Sequence, residues 1–375
     1  MKIGIACHSV YGGSGVVASE LGLALARRGH EVHFISNSLP FKLESYQSHI
    51  YFHEIEQLSY PLFKNDPFTL STAVKMAEVA EYENLDILHV HYAIPFAISA
   101  YLAKQMLQPR RRIKVVTTLH GTDITIVGSD TSYFDITRFA IEKSDALTAV
   151  SNSLRDATYA NFKIEKEIRV IYNFIDPNRY KREFCPDRRR DFAREDEKIL
   201  IHISNFRPVK RLEDVIRIFH HVRRQIPAKL ILVGDGPDRW HSQQLVKNMG
   251  IQKDVIFLGK QNCVIGLLSI SDLFLLPSES ESFGLAALEA NACETPVVGT
   301  NSGGLPEVIR QEETGMLRPI RDVKNMGKDS LRILTDPDLH QYMRDASRRR
   351  AVEHFSEDAM LQSYESLYQK VFDND

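Results

Sequence analysis

Short apolar runs recur along the chain, and between them lie longer stretches whose apolar residues return every three or four positions. The short runs predict strands and the long ones predict helices. In the first half KIGIAC, EVHFIS, DILHVHY, KVVTTLHG, ALTAVS and IRVIYN predict strands. SGVVASELGLALARRG, ending at Gly29, and TLSTAVKMAEVAEYEN, PFAISAYLAKQML, ITRFAIEKS and NSLRDATYANF predict helices. Strands alternating with helices imply βαβ units and a parallel sheet. The pattern then restarts. KILIHIS, AKLILVGDGP, VIFLGK, DLFLLPS and TPVVGT read as strands, each with a helix after it, and SEDAMLQSYESLYQKVF as a terminal amphipathic helix. Between the halves the polar, Pro-containing NFIDPNRYKREFCPDRRRDFAREDE reads as a linker.

The expected architecture is two consecutive doubly wound α/β domains, residues 1–172 and 173–355. In such sheets ligands sit beyond the carboxyl ends of the strands, and two facing domains would make a cleft. A chain of 375 residues agrees with two domains of ordinary size.

Composition adds exclusions. The net charge of −2 gives no basic field for nucleic acid. Arginine runs at 110–112, 188–190 and 348–350 read as solvated faces or linkers. Cys7, Cys185, Cys263 and Cys293 are scattered, which argues against a zinc site or a disulfide framework and fits a reducing cytoplasm. The opening MKIGIACHS reads as a strand, not as a signal peptide. No apolar run reaches the ~18 residues of a membrane span.

Polar groups gather where strands end. YGGSG, residues 11–15, follows the first strand and opens a helix. Gly12 and Gly13 would let a ligand approach the backbone, and the helix N-terminus favours an anion. The pattern is not G-x-G-x-x-G and EVHFISN ends without an acid, which disfavours a dinucleotide. HVHY places His89 and His91 on one strand face. A metal would need a third ligand that is not evident, so histidines at a strand end beside a cleft are the preferred reading. TTLHGTD ends a strand in Thr118, His120, Gly121 and Asp123, either a polar loop or part of the cleft. In SNFRPVKR, Arg207 and Lys210 precede a helix and suit phosphate oxygens, or form an exposed basic loop. VGDGP marks a tight strand exit. SESESFGLAALEA, residues 278–290, sets Glu281 and Glu289 around a helix start. That end suits phosphate, whereas carboxylates only accept hydrogen bonds. A ligand with a central diphosphate and hydroxyl-bearing rings satisfies both and is a nucleotide sugar.

With E-S-F-G-x-x-x-x-E, SNFRPVKR, VGDGP and GTNSGGLPEVI together, the whole chain resembles the retaining glycosyltransferases of family 4, which have the GT-B fold. YGGSGVVASELG, LDILHVHYAIP, AYLAKQM, VVTTLHGTDIT, IYNFID and LIHISNFRPVKR resemble most the members that join UDP-GlcNAc to L-malate in the first step of bacillithiol biosynthesis. The resemblance implies that Arg207 and Lys210 hold the diphosphate, with the backbone of Gly13 and with Asn205 nearby. It puts Glu289 on the ribose, Glu281 with Ser282, Phe283, Gly284 and Leu285 on the sugar, Gln261 and Val264 by the uracil, and His120 beside the reacting carbon. His120, Glu281, Arg207 and Lys210 are the expected catalytic set. No metal, cofactor or protein nucleophile is implied. The terminal helix, about 356–375, would pack back onto the first domain.

The two carboxylates of malate need donors and positive charge, and Ser14, Tyr92, Thr118 and Arg138 on the first domain are the candidates. Asn291 and Glu294 stand where the family more often has Met and Gly, so a changed turn is expected there. CHSVYGGSG also departs from the family upstream of the glycines. The alternatives are a family 4 enzyme with an inositol phosphate, sugar or lipid acceptor, a nucleotide-sugar epimerase of the same fold, and a nucleotide-binding module without catalysis. A cytoplasmic protein without stable membrane association is expected, with homodimerisation left open.

Overall fold

The structure is a computed structural model that describes residues 1–8, 12–40, 43, 46–56 and 67–373. Tyr11 of the glycine turn, Ser9 and Val10 upstream of it, and Asn374 and Asp375, which the sequence placed in the terminal helix, lie outside the described residues. The chain divides into two compact units, Met1–Asn173 with Asp358–Asp375, and Phe174–Glu357.

The first unit contains a parallel sheet of β1 (Lys2–Ala6), β2 (Glu31–Ser36), β3 (Ile50–Glu54), β4 (Ile87–His91), β5 (Lys114–Leu119), β6 (Ala146–Ala149) and β7 (Ile168–Val170). Its order is β3-β2-β1-β4-β5-β6-β7. Strand order reverses between β1 and β4, which creates the crevice where doubly wound sheets take ligands. Central strands are buried on both faces and so read as continuous apolar runs. Helix Gly13–Arg27 turns Leu21, Ala24 and Leu25 inward, and all three are fully buried. The terminal helix Glu357–Asp373 buries Tyr364, Leu367 and Tyr368, and Tyr368 reaches β4 by its hydroxyl.

The second unit repeats the plan with β8 (Lys198–Ile203), β9 (Ala228–Val233), β10 (Val255–Gly259), β11 (Leu273–Leu276), β12 (Val297–Thr300) and β13 (Gly315–Arg318). The order is β10-β9-β8-β11-β12-β13, and the reversal falls between β8 and β11. One apolar cluster joins β8, β9 and β11 to helices Leu212–Arg223 and Val323–Thr335 through Leu200, Leu230, Leu275, Val215, Phe219 and Ile333.

Two expectations change. The stretch expected as a linker is packed into the second unit: Tyr180 is buried, and Arg189 binds the carbonyls of Ile270 and Glu197 and the carboxylate of Asp272. The arginine runs are not simply solvated. Arg111 binds Asn84 and the Leu85 carbonyl, Arg348 binds the carbonyls of Pro177, Tyr180 and Ala292, and Arg350 binds those of Glu307 and Val308. A guanidinium fork suits such clusters of acceptors. Where the changed turn was expected, Glu294 takes φ 59°, in the left-handed region that glycine favours, and Arg344 holds its carboxylate at 3.0 Å.

Candidate active site

In the second unit the loops after β8 and β11 meet at the point where strand order reverses. The β8 loop turns sharply. Phe206 takes φ 40° with its ring fully buried, and Arg211 takes φ 51° just before helix Leu212–Arg223. VGDGP serves this turn. A Cβ on Gly234, itself at φ 126°, would lie 1.7 Å from the Ser204 carbonyl oxygen, so only glycine fits. Sequence alone read that motif as a strand exit, which it is, since β9 ends at Val233, and it also buttresses the SNFRPVKR loop. Beneath it His202 contacts the Leu275 carbonyl through Nδ1 and Ser204 Oγ through Nε2, both at 2.8 Å. Burial lowers the His202 pKa to about 4 and keeps the ring neutral.

The β11 loop carries Glu281. Lys210 Nζ donates to Glu281 Oε1 at 2.7 Å, with the Glu281 side chain 11% and the Lys210 side chain 21% exposed. The two loops are also tied through backbone, since Glu279 N–H donates to the Val209 carbonyl. Gly284, at φ 98°, begins helix Leu285–Ala292, whose first N–H groups have no partners within the helix. The loop's support was not evident in sequence. A Cβ on Gly303 would lie 2.1 Å from the Glu281 carbonyl oxygen, and Gly304 N–H donates to that oxygen at 2.7 Å. GTNSGGLPEVI therefore holds the Glu281 backbone in place.

The other residues expected for the donor lie on this unit as follows. Arg207 is exposed and makes no ion pair with a described residue. Asn205 is exposed on the same loop. Glu289 accepts from Tyr180 Oη at 3.0 Å, and Arg348 fixes the Tyr180 backbone. Gln261 Nε2 donates to the Leu258 carbonyl, and Val264 starts helix Ile265–Ile270. Ser282 and Leu285 are partly exposed, while Phe283 is buried against Phe355 with ring centroids 5.7 Å apart.

In the first unit, aromatic rings stack at the crevice between β1 and β4. Tyr92, at φ 96°, stacks on His120 at 5.4 Å, and His8 meets Tyr92 edge-on at 5.5 Å. His91 Nδ1 and His120 Nε2 share a hydrogen bond of 2.8 Å. Burial lowers the His120 pKa to about 3, so the ring is neutral. Asp123 fastens the two loops: its carboxylate accepts from the N–H groups of Ala93, His120 and Gly121. Burial raises its pKa to about 6 against those three bonds. Sequence alone placed Asp123 among the polar groups at the end of its strand without this fastening role, and gave His8 no role. His8 lies two residues beyond the end of β1, and that position was the available signal.

His89 and Thr118 differ from expectation. His89 is wholly buried and satisfied, with Nδ1 2.7 Å from Tyr368 Oη and Nε2 2.7 Å from Thr118 Oγ1. Thr118 Oγ1 also meets Thr148 Oγ1 at 2.6 Å. Thr118 is thus a buried support under the strand end and not a surface donor. Arg138, on helix Phe134–Lys143, is exposed and pairs with Glu142 one turn on at 3.2 Å. Gly12 and Gly13 have open space where a Cβ would stand, and Ser14 is partly exposed beside them. No helix of the described residues is long and apolar enough to cross a membrane.

Residues 11–179 match the family model Glycosyltransferase Family 4, and residues 186–350 match Glycosyl transferases group 1. The N-acetyl-alpha-D-glucosaminyl L-malate synthase of Bacillus anthracis is 51% identical over 100% of this chain and 98% of its own length. The D-inositol 3-phosphate glycosyltransferase of Salinispora arenicola is 32% identical over 45% of this chain and 40% of its own. Among solved structures, Anabaena HepE in complex with UDP-glucose superposes with a TM-score of 0.83 at 20% identity, covering 99% of this chain and 100% of that one. The full-length match at half identity and two switch-point sites on two Rossmann-like units lead to one conclusion: the chain belongs to glycosyltransferase family 4 and is a glycosyltransferase of the GT-B fold.

Proposed function

We propose that this enzyme moves GlcNAc from UDP-GlcNAc to the hydroxyl of L-malate, giving GlcNAc-malate and UDP. The full-length identity to the Bacillus anthracis malate synthase carries the choice of substrates. The Lys210–Glu281 pair beside an open helix N-terminus carries the choice of donor chemistry.

In this reading Lys210 and Arg207 neutralise the diphosphate, and the N–H groups at Gly284 and Leu285 add donors. Glu281, released from Lys210, accepts from sugar hydroxyls, and Glu289 accepts from the ribose. The malate hydroxyl oxygen bonds to the anomeric carbon as the bond from that carbon to the phosphate oxygen breaks. The hydroxyl proton passes to the leaving phosphate on the same face, so configuration is retained. His120, neutral and stacked under Tyr92, offers a hydrogen bond and no ionisable base.

Ser14, Tyr92 and Arg138 are the proposed acceptor groups. Arg138 would exchange Glu142 for a malate carboxylate. Thr118 supports Tyr92 from below, its carbonyl accepting from the Tyr92 N–H at 3.0 Å. UDP release from UDP-GlcNAc, measured across a panel of hydroxy acids, sugars, inositol phosphate and neutral diols, tests the acceptor. L-malate should give the highest kcat/KM. A preference for a neutral sugar or for inositol phosphate would replace malate with that acceptor.

A further inference from the structure

At the outer edge of the first sheet, His33, His53 and Glu83 each bring one ligand atom to within 4.8 Å of the other two. The sheet register places them. His33 on β2 lies opposite Tyr51 of β3, and Ile35 lies opposite His53. Residues two apart on a strand share a face, so both imidazoles project from the same side. His33 Nδ1 and His53 Nε2 are 3.0 Å apart. Glu83 caps the C-terminal end of helix Phe68–Tyr82, which packs over that face. None of these residues belongs to the site described above.

The outer partners orient His33. His33 is fully buried, and its Nε2 lies 3.0 Å from Glu31 Oε1. Lys2 Nζ holds the same carboxylate oxygen at 2.8 Å. A carboxylate accepts, so Nε2 carries the proton and the Nδ1 lone pair faces His53. Metal-binding histidines are fixed in this way, with the far nitrogen donating to a carboxylate. An ion about 2.0–2.1 Å from each nitrogen in a tetrahedral site separates them by about 3.3 Å, close to the spacing present. Glu83 would close by roughly 1–1.5 Å to join such a site, a movement open to a half-buried side chain at a helix end.

We propose that His33, His53 and Glu83 bind one divalent transition-metal ion of the zinc class, with Glu31 orienting His33. Two nitrogens and a carboxylate oxygen fit that class, and a water would complete the tetrahedron. The ion would tie β2, the edge strand β3 and the helix end together.

The full chain, stripped with chelator and dialysed, is titrated with Zn(II) alone by calorimetry, and with Co(II) followed by visible absorption. The wild type should bind one Zn(II) per chain that His53→Ala and Glu83→Gln each weaken by more than tenfold. It should also show the intense bands of four-coordinate Co(II). Glu31→Gln should weaken binding about 10-fold, as outer partners do. UDP affinity should be unchanged in every variant, which verifies folding. Should His53→Ala fail to fold, Glu83→Gln at the half-buried helix end carries the test. A wild type that binds no Zn(II), or an isotherm that Glu83→Gln leaves unchanged, would overturn the three-ligand site.

Discussion

Lys210 Nζ sits 2.7 Å from Glu281 Oε1, joining the loop after β8 to the loop after β11. Each side chain is mostly withdrawn from water, so each needs the other while the donor is absent. In the proposed function the same two groups would carry opposite halves of the donor's chemistry, a cation for phosphate and an acceptor for hydroxyls, and donor binding would exchange one charge-assisted contact for two.

Replacing Glu281 by Gln keeps the shape and removes the charge. Losing a charged hydrogen-bond partner costs about 1.5–3 kcal/mol, which is roughly 10- to 150-fold in rate. Turnover should fall by that factor while UDP affinity, measured by calorimetry, stays within a few-fold. Full turnover in Glu281→Gln would make the pair merely structural.

Gly303→Ala should injure the donor site without touching a donor ligand. Its Cβ would meet the Glu281 carbonyl at 2.1 Å, and its φ is 60°. Gly250, at φ 71° with open space around it, is the matched control. Gly250→Ala should cost only the left-handed strain of about 1–2 kcal/mol. Gly303→Ala should cost more and also raise the KM for UDP-GlcNAc. Equal Tm losses and an unaltered KM in both variants would refute the buttress role.

The sequence showed the central strands and the glycines, acids and bases at their ends, because buried parallel strands are continuous apolar runs bounded by turns. It did not show β3 and β13. Both are edge strands, and IYFHE and GMLR mix polar and apolar residues since an edge is only partly covered. Glu281 and Lys210 were legible as candidates, whereas their pairing depends on two loops more than sixty residues apart. The same limit hid Thr118. A threonine at a strand end reads as a surface donor until His89 and Thr148 are seen to take its hydroxyl.

Acid should destabilise the first unit. Burial puts His89 and His120 at about 3, below the ordinary 6.5. The unfolded rings take protons as pH falls through 6.5 and the folded ones do not until near 3. Their contribution is therefore complete above 6.5 and is lost on acidification, by about 1.4 kcal/mol per pH unit for each ring. Asp123, raised from 3.8 to about 6, works in the opposite sense between those values. Two rings outweigh one carboxylate. Denaturant unfolding should show stability falling from pH 7 to pH 4.5, and a rise over that window would contradict these assignments.

Arg348 and its neighbour Arg349 should separate cleanly. Arg348 caps three carbonyls, one of them on Tyr180, whose hydroxyl holds Glu289. Arg349 is exposed. Arg348→Ala should cost about 2–4 kcal/mol and weaken UDP binding, and Arg349→Ala should stay within about 0.5 kcal/mol. Similar Tm values for the two variants would return the run to a solvated face.

The central claim is the transfer itself, and NMR of the product tests it most directly. The enzyme is incubated with UDP-GlcNAc and L-malate, and the new sugar resonances are followed with UDP. The account predicts one conjugate, with GlcNAc joined through the malate hydroxyl carbon, the α configuration of the donor retained, and UDP formed in equal amount. An inverted anomeric centre, free GlcNAc as the sole sugar product, or no malate conjugate would contradict it.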